Sequence, residues 1–138
     1  MSSVHKGERE ESPAEFTVCA RQLKIMTVDK CAKLPRRYTH GIIDPLLKCA
    51  NHIKHLVVEA NSVHPTTANE AKDRREMLMI ARAELFAMAS DIDDMMEMKD
   101  KFNLSYEDAR QWTGKVYAEI RLINGIMDSD SRRYRDLP

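Results

Sequence analysis

The chain has few of the residues that interrupt helices: four glycines and five prolines among 138 residues, with only 6% aromatic residues. This composition is typical of a helix-rich protein, and strand signals are weak throughout. No run of about 18 apolar residues exists, so a membrane-spanning helix is not expected. Residues 1–12 are polar and charged, which is unlike a secretory signal, and they are expected to form a flexible arm.

Motifs for catalysis or for metal binding are also missing. The chain contains no CxxC pair, no Glu-x-x-His pair, no nucleophile motif and no glycine-rich phosphate loop. We therefore expect no enzyme activity, no catalytic residue, no metal site and no cofactor, although a Cys–His pair distant in sequence stays an alternative. The three cysteines are interpreted as buried free thiols of a reducing compartment, which predicts a cytoplasmic protein. We interpret two further sets of polar residues as solvated helix faces: the histidines His52 and His55, and the acidic group Asp91, Asp93 and Asp94.

What the chain does contain is a set of helix start signals. Ser12 to Glu15 and Thr67 to Glu70 both fit a capping box, in which a hydroxyl and a carboxylate each bond a free backbone N–H. Ser105 followed by Asp108 is a weaker third start, with acid in the first turn.

Apolar spacing places four helices after these signals, at Pro13–Lys33, Arg36–Asn61, Ala68–Met98 and Tyr106–Met127. Pro45 conflicts with the second helix. We expect one helix kinked at Pro45, the alternative being a short turn through Tyr38–Ile43 and a fresh start capped by Asp44. The predicted core stripes of the last two helices are Met77, Ile80, Leu85, Met88, Ile92 and Met95, and then Trp112, Val116, Ile120, Ile123 and Met127.

Short links between long helices favour antiparallel neighbours. The predicted fold is therefore all-α: an antiparallel up-down-up-down four-helix bundle at residues 13–128, followed by a polar tail at residues 129–138. Paired apolar residues such as Ile25 with Met26 widen several helix faces, which indicates either self-association or one broad core-facing stripe.

Charge is balanced overall but unevenly placed. Between Thr17 and His64, eight basic and three acidic residues give a net +5, whereas between Glu84 and Asp100 one basic and six acidic residues give −5. The basic half predicts a polyanion-binding surface, and the alternative is charge pairing between helices or subunits. The candidate residues for binding nucleic acid or a polymerase are Arg21, Lys24, Lys30, Lys33, Arg36, Arg37, Lys48, Lys54, Arg132 and Arg133.

Several segments together resemble a known family. They are Leu34-Pro35-Arg36-Arg37-Tyr38, Glu59-Ala60-Asn61 with His64-Pro65-Thr66, Asp73-Arg74-Arg75, and residues 129–134 with the sequence SDSRRY. Nearly the whole chain is similar to the bacterial four-helix-bundle proteins that include the accessory variability protein of diversity-generating retroelements and the proteins of ribosomal RNA intervening sequences.

The resemblance implies a homopentamer that forms a barrel. It also implies a non-catalytic partner of a reverse transcriptase, which binds template RNA, with DNA as a second ligand, and supports mutagenic reverse transcription. A basic inter-helix segment of that family corresponds to Lys33, Arg36 and Arg37. Accessory proteins of the family are strongly basic, whereas this chain is neutral. Nucleic-acid binding would therefore rest on the basic first half of the chain. The acidic third helix could instead face a basic polymerase. The other hypothesis is a structural or protein-binding homo-oligomer with no nucleic-acid role.

Overall fold

Long helices make up most of the chain in the computed structural model, which describes residues 2–138, with side chains from residue 15 onward. The helices are α1 (Ser2–Cys31), α2 (Asp44–Ser62), α3 (Ala68–Glu97), the short α4 (Lys99–Phe102) and α5 (Tyr106–Arg133). No strand occurs in this part of the chain, and none of its helices is long and apolar enough to cross a bilayer. The arm expected at residues 1–12 and the cap expected at Ser12 lie outside the described side chains.

Two of the predicted start signals begin helices. The Thr67 hydroxyl accepts a bond from the Glu70 N–H at 3.2 Å, and the Glu70 carboxylate accepts one from the Thr67 N–H at 3.2 Å, which completes the capping box of α3. Ser105 accepts a bond from the Asp108 N–H at 3.0 Å and begins α5. These bonds satisfy N–H groups that the first helical turn leaves free.

The segment before α2 differs from the expected kinked helix. Arg36–Tyr38 forms a 3₁₀ turn and Thr39–Ile43 forms a π-helical turn, in which the Asp44 N–H bonds to the Thr39 carbonyl. The physical reason is Pro45, which has no N–H to bond to the carbonyl four residues earlier and is tolerated only in a first turn. The expectation of one kinked α-helix from Arg36 is therefore wrong. The fresh start at Asp44 is correct, but no side chain caps it.

The core lies between the four long helices. α1 packs against α2 and α5, and α3 packs against the same two helices from the other side. All five residues predicted for the stripe of α5 are buried, from Trp112 to Met127. In α3 the predicted stripe is partly wrong, because Ile80 is 48% exposed and Leu78 and Ala81 are buried in its place.

A contact between two rings and a backbone hydrogen bond show which segments share an end of the molecule. At one end, which we call the proximal end, residues 32–43 lie beside residues 98–105, because the Tyr38 and Phe102 rings are 4.6 Å apart. At the other, the distal end, the Ala68 N–H donates to the Pro138 carbonyl at 2.8 Å, which joins residues 63–67 to residues 134–138. α5 runs past the predicted Met127 to Arg133, so part of the expected tail is helical. α3 has 30 residues, and a helix of that length spans about 45 Å.

Several buried polar side chains of this core have hydrogen-bond partners. The Trp112 Nε1–H donates to the Thr27 hydroxyl at 3.1 Å, and that hydroxyl donates to the Leu23 carbonyl at 2.8 Å. Arg74 is 5% exposed and bonds Asp130 at 2.6 and 3.3 Å and the carbonyls of Ala60 and Val63 at 3.0 and 3.2 Å. Because buried polar groups are costly without partners, these bonds are what allow such residues to sit in a core.

Glu119 is buried without such bonds. It is fully buried on α5, and among the described residues neither carboxyl oxygen has a partner with good hydrogen-bond geometry, the Cys19 thiol being close enough only for a weak bond. Burial raises its pKa from 4.5 to about 8, while the Cys19 thiol and the Lys115 ammonium act in the opposite direction. At neutral pH this carboxyl group is mostly protonated, because the core disfavours its charged form.

Candidate nucleic-acid interface

The predicted basic residues do not form one surface. Lys33, Arg36 and Arg37 lie at the proximal end, and Arg132 and Arg133 lie at the distal end. α5, whose 28 residues separate these groups, spans about 40 Å. The remaining five lie along the helices: Arg21, Lys24 and Lys30 on α1, and Lys48 and Lys54 on α2.

Lys30 is used inside the protein. Its side chain is 8% exposed, and its ammonium group donates to the Asp108 carboxylate and to the Gln111 side-chain oxygen, both at 2.7 Å. Hydrogen bonds from Lys30 and Lys33, together with Ser105, lower the pKa of Asp108 from 3.8 to about 2. Lys30 thus joins α1 to the first turn of α5, and we do not include it in a binding surface.

The 3₁₀ turn presents two exposed cations. Arg36 and Arg37 are exposed, and neither makes an ion pair with any residue that the structure describes. The Arg37 guanidinium lies 5.1 Å from the centre of the Tyr38 ring, a cation–π contact that orients it. Tyr38 in turn packs on the buried Phe102 at 4.6 Å. The aromatic pair therefore anchors the turn to α4 and leaves both guanidiniums in solvent.

This anchoring adds two lysines that the sequence argument missed. Lys99 and Lys101 belong to α4, the helix that ends at Phe102, and both are exposed at the proximal end. In the sequence, Lys99 follows a run of acidic residues. No sequence pattern predicts that it lies near residues 36–38, which are some 60 positions away. We define the basic patch as the proximal cations Lys33, Arg36, Arg37, Lys99 and Lys101.

A shallow depression and two acidic residues lie at the basic patch. Asn103 turns the chain after α4 with a φ of 52°, a left-handed conformation that asparagine tolerates. Beside it lies an open depression of about 320 Å³ lined by Lys99, Asp100, Asn103, Leu104 and Ser105. Asp100 is exposed within the patch, and Lys33 shares Asp108 with Lys30 at 3.1 Å. The net positive charge of the patch therefore comes chiefly from Arg36, Arg37, Lys99 and Lys101.

The distal end has a smaller cationic cluster. Arg133 lies 5.8 Å from the centre of the Tyr134 ring, and Arg132 is exposed beside it. Tyr134 lines a cavity of about 300 Å³ together with Lys72, Arg75 and Ser131. Asp130, which also lines it, is bonded to Arg74. The cations Arg132 and Arg133 thus have neighbours of their own and are separate from the basic patch.

The cysteines are free thiols, and His52 has a carboxylate partner. All three cysteines are free, with Cys19 and Cys31 buried and Cys49 half-buried. Burial raises the thiol pKa of Cys19 to about 12 and those of Cys31 and Cys49 to about 11. Such thiols are protonated at neutral pH and are weak nucleophiles. His52 bonds the Glu84 carboxylate at 2.9 Å, and the described residues contain no group of three metal-binding side chains.

Comparison with known proteins does not identify a family for this chain. No family model, no curated protein and no solved structure matches the chain. What the surface does must therefore be argued from its own charge and shape.

Proposed function

We propose that this chain is a non-catalytic accessory protein of a diversity-generating retroelement, which binds the reverse transcriptase and its template RNA, with DNA as a second ligand. In this proposal the chain is an antiparallel up-down-up-down bundle, and five copies form a barrel in the cytoplasm. The family resemblance of the sequence motivates the role. The pairing of Lys30 with Asp108 and of Arg74 with Asp130 supports the antiparallel order of α1, α5 and α3.

The single observation that carries the nucleic-acid role is the basic patch. Its two arginines are solvent-exposed, free of ion pairs among the described residues and held by an aromatic anchor. Guanidinium groups bind phosphate through paired N–H donors, which suits a backbone-directed contact with no base specificity. Tyr38 is half-buried and Phe102 is buried, so these rings position the cations and do not stack on bases.

Salt dependence tests this role quantitatively. The four patch cations without an ion pair among the described residues, Arg36, Arg37, Lys99 and Lys101, give a log–log slope of about −2.8 against salt concentration if each displaces one counterion from single-stranded RNA. Charge reversal in R36E/R37E removes two of these contacts, so the slope should become shallower by at least about 1.4 and affinity should fall. Fluorescence anisotropy of a labelled single-stranded RNA across a salt series measures both quantities.

The matched control is R132E/R133E, which makes the same change of charge at the distal end. We expect it to keep most of the wild-type affinity and slope, because the two ends are about 40 Å apart. Equal losses in the two variants, or an RNA affinity of the wild type that does not depend on salt, would refute the assignment of the basic patch.

A second candidate function is a structural or protein-binding oligomer without a nucleic-acid role. The favouring observation is a set of half-exposed apolar side chains on the outer faces of the helices. On α3 and α5, Phe86 is 50% exposed and Tyr117 is 42% exposed, and their rings meet edge to face at 6.5 Å. Sedimentation analysis that finds an oligomer, combined with no RNA binding, would support this candidate over the first.

A further inference from the structure

The second notable surface of the proximal end is an apolar groove with an acidic rim. It holds about 390 Å³ and lies between the π-helical turn and the C-terminal part of α3. The apolar part is formed by Ile42, Leu46, Met95 and Met98, and the rim by Asp91 and Asp94. We call these six residues the acidic groove.

The acidic groove is formed by side chains of the π-helical turn, of α2 and of α3. The π-helical turn, in which the Asp44 N–H bonds to the Thr39 carbonyl, brings Ile42 to the groove opposite Asp91 and Met95 of α3. Leu46 and Met95 are each 2% exposed and form the floor, while Met98 is 41% exposed at the edge. A volume of this size accommodates a few side chains and is too small to hold a folded domain.

The rim of the acidic groove carries two exposed carboxylates. Asp91 and Asp94 are exposed, and neither has an ion-pair or hydrogen-bond partner among the residues that the structure describes. They lie in the last two turns of α3, where the helix dipole disfavours negative charge. The groove shields the Asp91 carboxylate partly from water, and this desolvation together with the neighbouring Asp94 raises the pKa of Asp91 above its usual value. A positively charged occupant would relieve this repulsion.

We infer that the acidic groove docks a short protein segment that carries lysine or arginine next to large apolar residues. Such side chains place an apolar stem on an apolar floor and a cationic head at a carboxylate rim. Nucleic acid is repelled by the two aspartates, and no third ligand is present among the described residues to hold a metal ion there. This inference does not depend on the nucleic-acid role.

The two surfaces of the proximal end are therefore adjacent and opposite in charge. Met98 belongs to the acidic groove and the next residue, Lys99, belongs to the basic patch. A polyanion and a basic polypeptide could occupy this end together, each on its own surface, since like charges exclude the wrong partner from each.

A labelled amphipathic peptide of leucine and lysine is the probe for this test. We expect saturable binding to the full chain, and binding about tenfold weaker to D91N/D94N, because two rim charges are lost while shape is kept. The matched control is D93N, which removes an exposed charge of the same helix that does not line the groove; its affinity should stay within about twofold of the wild type.

Three further measurements decide the result. A peptide with glutamate in place of lysine should not bind, and R36E/R37E should bind the leucine–lysine peptide at least as well as the wild type. The melting temperature of D91N/D94N should equal or exceed that of the wild type, which shows that lost binding is not lost folding. Absence of peptide binding, or equal weakening by D93N and D91N/D94N, would overturn the inference whatever the RNA experiments give.

Discussion

Replacing Glu119 with glutamine should remove most of the decline in stability that we expect as pH rises from about 5 to about 7. The pKa of Glu119 is raised from 4.5 to about 8 in the folded state, chiefly by burial. Between these two values the folded protein binds a proton that the unfolded chain has released, so the free energy of unfolding falls as pH rises. The contribution of Glu119 is favourable below pH 4.5 and is lost as pH rises towards 8.

The size of the effect follows from the shift. Each pH unit within this window costs about 1.4 kcal/mol, so the wild type should lose roughly 3 kcal/mol between about pH 5 and about pH 7 through this residue alone. Glutamine has nearly the same shape and cannot ionise, so E119Q should match the wild type near pH 5 and exceed it by roughly 3 kcal/mol near pH 7.

Urea unfolding followed by fluorescence measures this difference directly, since Trp112 is the single tryptophan and is fully buried. The control is E76Q, which neutralises an exposed glutamate of α3. Its pH dependence should run parallel to that of the wild type. If the profile of E119Q also runs parallel to the wild type, the carboxyl group of Glu119 is not held neutral by the core and the argument fails.

The other predictions concern the buried pairs. D108N should destabilise the protein by about 3 kcal/mol, because it leaves the buried Lys30 ammonium uncompensated. K30M should cost less, because it removes the buried ammonium and Asp108 keeps Lys33 as its partner. Chemical denaturation ranks the two variants, and the opposite order would contradict the account. R74K should lower the free energy of unfolding by about 2–4 kcal/mol, because lysine lacks the planar guanidinium that bonds one carboxylate and two carbonyls. R75K, at the exposed neighbouring position, should be nearly neutral, and equal costs would show that the buried contacts contribute nothing. T27V should cost about 1–3 kcal/mol by leaving the indole N–H without an acceptor, and an unchanged denaturation midpoint would contradict this.

The sequence was a good guide where one physical signal dominated. The Thr67 capping box and the stripe of α5 are correct because a single pattern of side chains decides each. In α3, residues 77–80 are four consecutive apolar residues, and periodicity cannot choose among them. Packing against α2 and α5 makes the choice and buries Leu78.

Buried polar residues were harder to predict, although a signal for them exists. Glu119 lies between Val116 and Ile120 on the predicted stripe of α5, and Arg74 lies four residues before Leu78 on the buried face of α3. A charged residue at a stripe position predicts burial, but its partner lies on another helix, which only the fold supplies.

The basic patch was only half predictable for the same reason. Arg36 and Arg37 were visible as a basic pair after a proline, whereas Lys99 and Lys101 join them through the contact of Tyr38 with Phe102. The predicted set also mixed residues of opposite ends, because a count of charges along the chain carries no information on distance.

The central claim is that the proximal end binds RNA within a complex that also contains a reverse transcriptase. The most direct measurement is affinity purification of the tagged wild type and of R36E/R37E from cells that express the neighbouring genes, with sequencing of bound RNA and identification of bound proteins. The account predicts that the wild type recovers a polymerase and a template-repeat transcript, and that R36E/R37E loses the transcript. A pure oligomer with neither partner, or a transcript retained in full by the variant, would contradict it.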